Sequence, residues 1–344
     1  MKPRVLITRV LPEPALEVVR QACEVQLDPL DQPLTPTGLR QAVVDKQGIL
    51  CLVTDRIDTP VLDAAAGLKV VSNVAVGYDN IDVAAATQRG ILVTNTPGVV
   101  TESTADLTWS LLCSVARRIA EGDRYIRAGK WRDWTLLLMA GSDIHGRTLG
   151  LCGMGRIGQA VARRAKGFQM RILYHNRQRL DSAIESELNA TWVEKHTLLQ
   201  QADFVSLHVP LSPATTHFIG TAELRMMRPT AYLINAARGP VVDEVALIQA
   251  LQQGWIAGAA LDVFEHEPHV PQALHELENV VLVPHIGSAS VATRTRMAVM
   301  AAENLVAVLR GEHTPYVVNP AVLTQGATSS RPSGHPCDIV MESD

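Results

Sequence analysis

Arg238 in LINAARGPVVDE, Glu267 in LDVFEHEP and His285 in VLVPHIGS are the residues whose types and spacing carry chemistry in this 344-residue chain. Each follows a short apolar run that reads as a buried strand. The three are therefore expected at one end of a parallel sheet, where open α/β sheets take their ligands. A guanidinium grips a carboxylate through two parallel N–H bonds, and an imidazole oriented by a carboxylate moves a proton near neutral pH. Reduction of a 2-oxo acid needs both. Arg238 would anchor the carboxylate and polarise the carbonyl, His285 would protonate the developing alkoxide, and Glu267 would orient the ring. Singly, each residue has a bland reading: a turn before Gly239, a loop before Pro268, a loop histidine after Pro284. Their joint position at three strand ends argues for a site.

A hydride source is the missing reactant. The segment GLCGMGRIGQAVARRAK spaces Gly153, Gly155 and Gly158 as GxGxxG, with Arg156 and Ile157 inside the pattern. The glycines alone signify little, but they follow a strand-like run ending at Cys152 and open a helix with Ile157, Ala160, Val161 and Ala165 on one face. In that setting Gly153 makes the turn, Gly155 admits a pyrophosphate and Gly158 packs helix on strand. The next strand-like run ends YHNRQR, with no carboxylate before Asp181, where a 2′-hydroxyl reader would stand. Asn176 and Arg177, with Arg179 nearby, suit a 2′-phosphate instead. The expected cofactor is NADP(H) in preference, with NAD(H) as the alternative.

These residues need a frame. Strand-like runs at Arg4 to Thr8, Gly48 to Thr54, Lys69 to Asn73 and Ile91 to Thr94 alternate with helical segments, which predicts a small α/β domain. A single long helix is predicted from Thr101 to Ala128, capped by Thr101 or Ser103 and closed by Gly129, linking two domains. Six further strands are predicted, at Thr148 to Cys152, Arg171 to His175, Phe204 to His208, Tyr232 to Asn235, Gly258 to Asp262 and Val280 to Val283. A last helix, about Ser290 to Leu309, and the run YVVNP lead back to the first domain. The resulting division is a substrate domain of residues 1–100 and 290–320, a dinucleotide domain of 101–289, and a polar tail, 321–344, without fixed structure.

Composition excludes other classes. Hydrophobic residues make up 47% and charged residues 19%, ordinary for a soluble chain, and a net charge of −4 without basic runs argues against nucleic acid. No run is apolar and long enough for a membrane span or signal peptide, so a cytoplasmic location is expected. Five cysteines lack metal-ligand spacing and read as free thiols, and no metal is expected.

The segments VAVGYDNIDVAAATQRGILVTNTPG, TLGLCGMGRIGQAVARRAKGF, HVPLSPATTHFIG, LINAARGPVVDEVAL, ALDVFEHEP and PHIGSAS resemble the D-isomer-specific 2-hydroxyacid dehydrogenase family, in its glyoxylate/hydroxypyruvate and 2-ketogluconate reductase branch. The resemblance runs from about Arg4 to Pro320. It implies two doubly wound parallel-sheet domains, a Rossmann dinucleotide-binding domain and a smaller flavodoxin-like substrate domain, and it puts Arg238, Glu267 and His285 in the family's catalytic positions. It further implies that backbone N–H groups of Val76 and Gly77 receive the substrate carboxylate and that Thr104 lies near the cofactor phosphates. By the same resemblance His208, Val209, Pro210 and Thr215 border the adenosine, and Ala236, Ala237, Asp262, Gly287 and Ser288 lie near the nicotinamide. Asp262 also reads as a strand-end cap. A homodimer is implied, with the apolar Trp109 to Val115 helix as a candidate face. Pocket size is expected to depend on the loops around Leu52, Val53, Val76, Trp134 and Leu138, the last two being candidates for supply by the partner subunit. Two other readings stand beside the reductase. One is phosphite oxidation, disfavoured by Val76 where phosphite dehydrogenases carry a lysine; the other is a dinucleotide-sensing protein of the corepressor kind.

Overall fold

Short runs of Val, Leu and Ile buried on both faces pair in parallel, because the connections between them are helices that cover the sheet. The computed structural model describes residues 1–328. Its strands are β1 (Arg4–Ile7), β2 (Glu24–Leu27), β3 (Gly48–Cys51), β4 (Val70–Asn73), β5 (Leu92–Thr94), β6 (Thr148–Cys152), β7 (Arg171–His175), β8 (Ala190–Trp192), β9 (Phe204–Leu207), β10 (Tyr232–Asn235), β11 (Gly258–Leu261) and β12 (Val280–Leu282). The chain divides into two units, Met1–Pro97 with Thr295 onward, and Gly98–Arg294.

The first unit has one parallel sheet in the order β2-β1-β3-β4-β5, the flavodoxin-like arrangement. Its core joins Ile49, Val71 and Val93 of the strands to Val43, Leu62 and Ala86 of the flanking segments. From Thr295 the helix Val291–Arg310 belongs to this unit. There Ser72 Oγ donates to the Ala301 carbonyl at 2.7 Å, and a Cβ on Gly48 would stand 2.9 Å from Leu305. Val318 N–H then bonds the Val93 carbonyl at 2.8 Å, which ties the returning segment to β5.

The second unit has a seven-stranded parallel sheet, β12-β11-β10-β9-β6-β7-β8. Counted from β6, this is the Rossmann order with one strand added beyond β11. The direction of winding reverses between β6 and β9, so the loops after these two strands part and leave a crevice at their C-terminal ends. The strands that precede Arg238, Glu267 and His285 are β10, β11 and β12, three neighbours in one sheet.

Several expectations need correction. Strands β2 and β8 lacked a sequence signal, because EVQL alternates exposed and half-buried positions at an edge and ATW is only three residues long. The single linking helix is two, Thr101–Ala116 and Ile119–Arg127. Arg118 takes φ +54, and the Ala116 carbonyl turns to accept Ser142 N–H at 2.8 Å instead of continuing the helix. Neither Thr101 nor Ser103 caps the first of these; Val100 stands at its start, and Ser103 Oγ donates back to the Val100 carbonyl.

The proposed dimer face is also misplaced, since Trp109, Leu111, Leu112 and Val115 are buried in the core of the second unit. Exposed apolar side chains lie instead just beyond, at Ile119, Ile126, Trp131, Trp134, Leu136 and Leu137. In the expected tail, 321–344, the described part forms a helix, Ala321–Thr328, and the rest lies outside the described residues.

Candidate active site

Each member of the trio is fixed by backbone bonds at its strand end. Asn235, the buried last residue of β10, donates from Nδ2 to the Arg238 carbonyl at 3.0 Å and accepts Ala237 N–H at Oδ1 at 3.1 Å. That double bond shapes the Ala236-Ala237-Arg238 turn. Arg238 Nη1 donates to the Ala237 carbonyl at 2.8 Å. Gly239 follows because only hydrogen fits: a Cβ there would lie 1.8 Å from the Phe264 carbonyl oxygen. Glu267 Oε1 accepts Phe264 N–H at 3.0 Å, and Oε2 lies 2.8 Å from His285 Nδ1. Burial pushes the Glu267 carboxyl up, but the His285 hydrogen bond and the charges of His285 and Arg238, with the Phe264 N–H, outweigh it and hold it below its ordinary value. Glu267 is thus an anion that orders His285 with Nδ1 as donor and leaves Nε2 outside that bond.

His285 has φ +50, and two anchors hold it there. Its N–H donates to the Asp262 carbonyl at 2.9 Å, while the Asp262 carboxylate accepts Ile286 N–H at 2.6 Å and Gly287 N–H at 2.9 Å. Asp262 is therefore the strand-end cap, both oxygens engaged. Thr104 is buried and its Oγ1 donates to the Gly287 carbonyl at 3.3 Å. Ser288 continues the same turn, its carbonyl accepting Ser290 N–H at 2.8 Å.

At the winding switch the three fingerprint glycines do three different things. Gly153 has φ +97, and a Cβ on it would stand 2.7 Å from the His208 backbone after β9. Gly158 opens onto the Gly153 carbonyl, 2.2 Å from where its Cβ would be. Gly155 faces open space, at the N-terminus of the helix Arg156–Ala165. These residues fit a dinucleotide: the turn is tight, the helix start presents N–H groups, and the one position without a side-chain constraint is where a pyrophosphate would approach. Arg156 is exposed and Ile157 half-buried at that helix start.

The residues after β7 divide. Asn176 Oδ1 accepts Met154 N–H at 2.7 Å, so this side chain braces the glycine turn. Arg179 forms a two-pronged pair with Glu185, at 2.8 and 2.7 Å. Arg177 is exposed and has no ion pair or hydrogen bond among the described residues. After β9, His208 Nε2 meets Ser206 Oγ at 2.9 Å, and loss of solvent pushes its imidazole down to about 4, so the ring is neutral at pH 7. The loop that follows, Val209 and Pro210 onward, is knitted by Thr215 Oγ1, which bonds the Pro210 carbonyl at 2.6 Å and accepts Ser212 N–H at 2.8 Å.

Val76 and Gly77 belong to the first unit, in the turn after β4. Asn95 Nδ2 holds the Val76 carbonyl at 2.8 Å and Asn73 Nδ2 the Gly77 carbonyl at 2.9 Å. The N–H groups of Val76 and Gly77 make no hydrogen bond among the described residues, which leaves two donors fixed in direction. The fixing amides Asn73, Asn95 and Asn235 were missed in the sequence; asparagine at a strand end is the signal that marks them.

A sheet of Rossmann order, a fitted dinucleotide turn and an Arg-Glu-His set on neighbouring strand ends define a nucleotide-dependent oxidoreductase. Residues 109–287 match the family model described as D-isomer specific 2-hydroxyacid dehydrogenase, NAD binding domain. A glyoxylate reductase of Korarchaeum cryptofilum is 53% identical over 325 residues, covering 94% of this chain and 98% of that protein. Among solved structures, the TT0316 protein of Thermus thermophilus superposes with TM-score 0.86 at 47% identity, over 92% of this chain and 99% of the other. An NADPH-dependent glyoxylate/hydroxypyruvate reductase of Sinorhizobium meliloti, in complex with NADP and malonate, gives 0.80 at 34% identity over 93% and 98%. This chain belongs to the D-isomer specific 2-hydroxyacid dehydrogenase family. It is an oxidoreductase with an NAD-binding domain that acts on a small molecule. No described helix is long and apolar enough to cross a membrane.

Proposed function

We propose that the chain reduces small 2-oxo acids, glyoxylate and hydroxypyruvate foremost and 2-ketogluconate as a larger candidate, to D-2-hydroxy acids with NADPH in preference to NADH. The reading rests on one observation above the others: Glu267 joins Phe264 N–H to His285 Nδ1 beside Arg238, on three adjacent strand ends. Relatives named glyoxylate reductase, alike over nearly the full length, support the substrate class.

The unit Gly98–Arg294 would hold the dinucleotide through Gly153, Arg156, Ile157, Gly158 and the loop from His208 to Thr215, with Gly155 left bare beneath the pyrophosphate. When bound, that cofactor supplies the hydride. Arg238 binds the oxo acid's carboxylate and polarises its carbonyl. His285, oriented by Glu267, would give a proton from Nε2 to the substrate's carbonyl oxygen. Exposed Arg177, unlike Arg179, has its charge available for a 2′-phosphate.

We further read the protein as a cytoplasmic homodimer. The exposed apolar stretch supports the dimer, with Trp134 69% and Leu137 78% accessible. Consumption of NADPH with glyoxylate, hydroxypyruvate, 2-ketogluconate and phenylpyruvate tests the activity, and absence of turnover with the whole panel overturns it. Arg177→Asp should lower the NADPH to NADH preference about tenfold or more, as loss of a charged contact to phosphate would. An unchanged ratio removes Arg177 from the reading. Sedimentation of Trp134→Ser/Leu137→Ser against the wild type tests the dimer, with a shift toward monomer expected.

A further inference from the structure

The residue that follows the Thr215 loop carries a contact that the proton chemistry does not use. His217 has φ +50, and its N–H donates to the Pro240 carbonyl at 2.8 Å. Two residues on, Ile219 N–H bonds the Val241 carbonyl at 3.1 Å and Asp243 N–H bonds the Ile219 carbonyl at 2.9 Å. The cofactor-loop segment is thereby laced to the one that follows Arg238. Nε2 of His217 also pairs with Oε1 of Glu265, two residues before Glu267. The Phe264-Glu265 peptide is the one Gly239 rests on, a Cβ at Gly239 falling 2.5 Å from Glu265 N, and Phe264 N–H holds Glu267. Around this pair stand the buried carboxyl of Glu244, which burial pushes up, and the rings of His266 and His269.

We propose that His217 is a positioning residue that clamps the cofactor loop, Val209 to Thr216, to the segments bearing Arg238 and Glu267, so that dinucleotide binding and alignment of Glu267 on His285 are one coupled event. The proposal rests on the reading of that loop as a dinucleotide contact. A loop that becomes ordered on binding a ligand loses conformational freedom. If it is bonded to a second loop, both are ordered in the same step, and a substitution on either side weakens the ligand equally. The His217 side of the pair is half exposed, so the contact adds little to stability and coupling rather than rigidity is its measurable effect.

The test is a double-mutant cycle on the intact chain, reading the NADPH dissociation constant by nicotinamide fluorescence and kcat in parallel. His217→Ala and Glu265→Ala should each weaken NADPH by about 3- to 10-fold and lower kcat, and the double variant should be no weaker than either single one. Glu265→Ala decides, because Glu265 lies outside the dinucleotide loop. His217→Gln, which retains a donor, should recover part of the binding. An unchanged dissociation constant in Glu265→Ala, or a double-variant loss equal to the product of the single losses, overturns the clamp. Should an alanine variant fail to fold by circular dichroism, His217→Gln with Glu265→Gln completes the same cycle. A wild type that does not bind NADPH refutes the dinucleotide reading and the clamp with it, whereas a binding wild type with additive variants refutes the clamp alone.

Discussion

The His285 N–H bonds the Asp262 carbonyl at 2.9 Å while the Asp262 side chain takes the N–H groups of the next two residues, so one buried aspartate sets the whole turn that carries the His285 imidazole. Burial pushes the Asp262 carboxyl up against the pull of those bonds and of the His285 charge. Asp262→Ala would strand two N–H donors. The expected outcome is a loss of about 1–3 kcal/mol in urea unfolding, as for an unsatisfied buried group, with kcat falling more than the affinity for dinucleotide. If Asp262 instead contacts the cofactor, as its family resemblance implied, the affinity would fall with kcat.

In the proposed reaction His285 and Glu267 divide the work of one proton. His285→Ala removes the donor and should lower kcat about 10²- to 10⁴-fold with a much smaller change in KM for the oxo acid. Glu267→Gln keeps an acceptor for Phe264 N–H but removes the charge facing the ring, so its kcat should fall by less. Steady-state kinetics on both variants check the split. Equal losses in the two would mean that Glu267 contributes more than orientation and charge.

The three glycines separate folding from binding. At Gly153 and Gly158 a methyl group would collide with backbone, at φ +97 in the first case, whereas at Gly155 it meets nothing within 4 Å. Gly155→Ala should therefore melt close to the wild type while losing at least about tenfold in NADPH affinity, because the methyl occupies the approach of the pyrophosphate. Gly153→Ala and Gly158→Ala should lower the melting temperature as well. Scanning calorimetry and fluorescence titration of the three proteins give both readings.

What the sequence disclosed follows the strength of each local signal. Runs such as RILYH and YLIN are buried on both sides and announce their strands, and with them the common end at which Arg238, Glu267 and His285 stand. Edge strand EVQL carries no such run. The break at Arg118 is set by a distant partner, Ser142 N–H, which takes the Ala116 carbonyl; helical periodicity is blind to that. The roles of Asn176 and Arg179 were likewise invisible, because their partners Met154 and Glu185 come from the glycine turn and the next helix. Spacing identifies which residues reach a sheet end, and only packing shows which of their polar atoms are already spent.

Two groups of the dinucleotide unit give its stability a defined pH dependence. His208, pushed down to about 4 by burial, takes up a proton on unfolding at any pH between that value and its unfolded value of about 6.5. Its contribution is present above about 6.5 and is lost as pH falls through the folded value. Glu185, held at about 2 by its bonds from Arg179 and Tyr174, behaves in the same sense lower down: its contribution is present above about 4.3 and declines as pH falls toward 2. Burial and the Glu185 bond carry the Tyr174 hydroxyl up to about 12, so it remains a donor throughout. Melting temperatures measured from pH 7.5 to 3 should therefore fall in two stages. His208→Gln should flatten the first stage and leave the second, while Glu185→Gln should do the reverse. Parallel curves for wild type and His208→Gln across the upper stage would mean that the ring is solvated, and the loop after β9 would then have to stand open rather than closed over it.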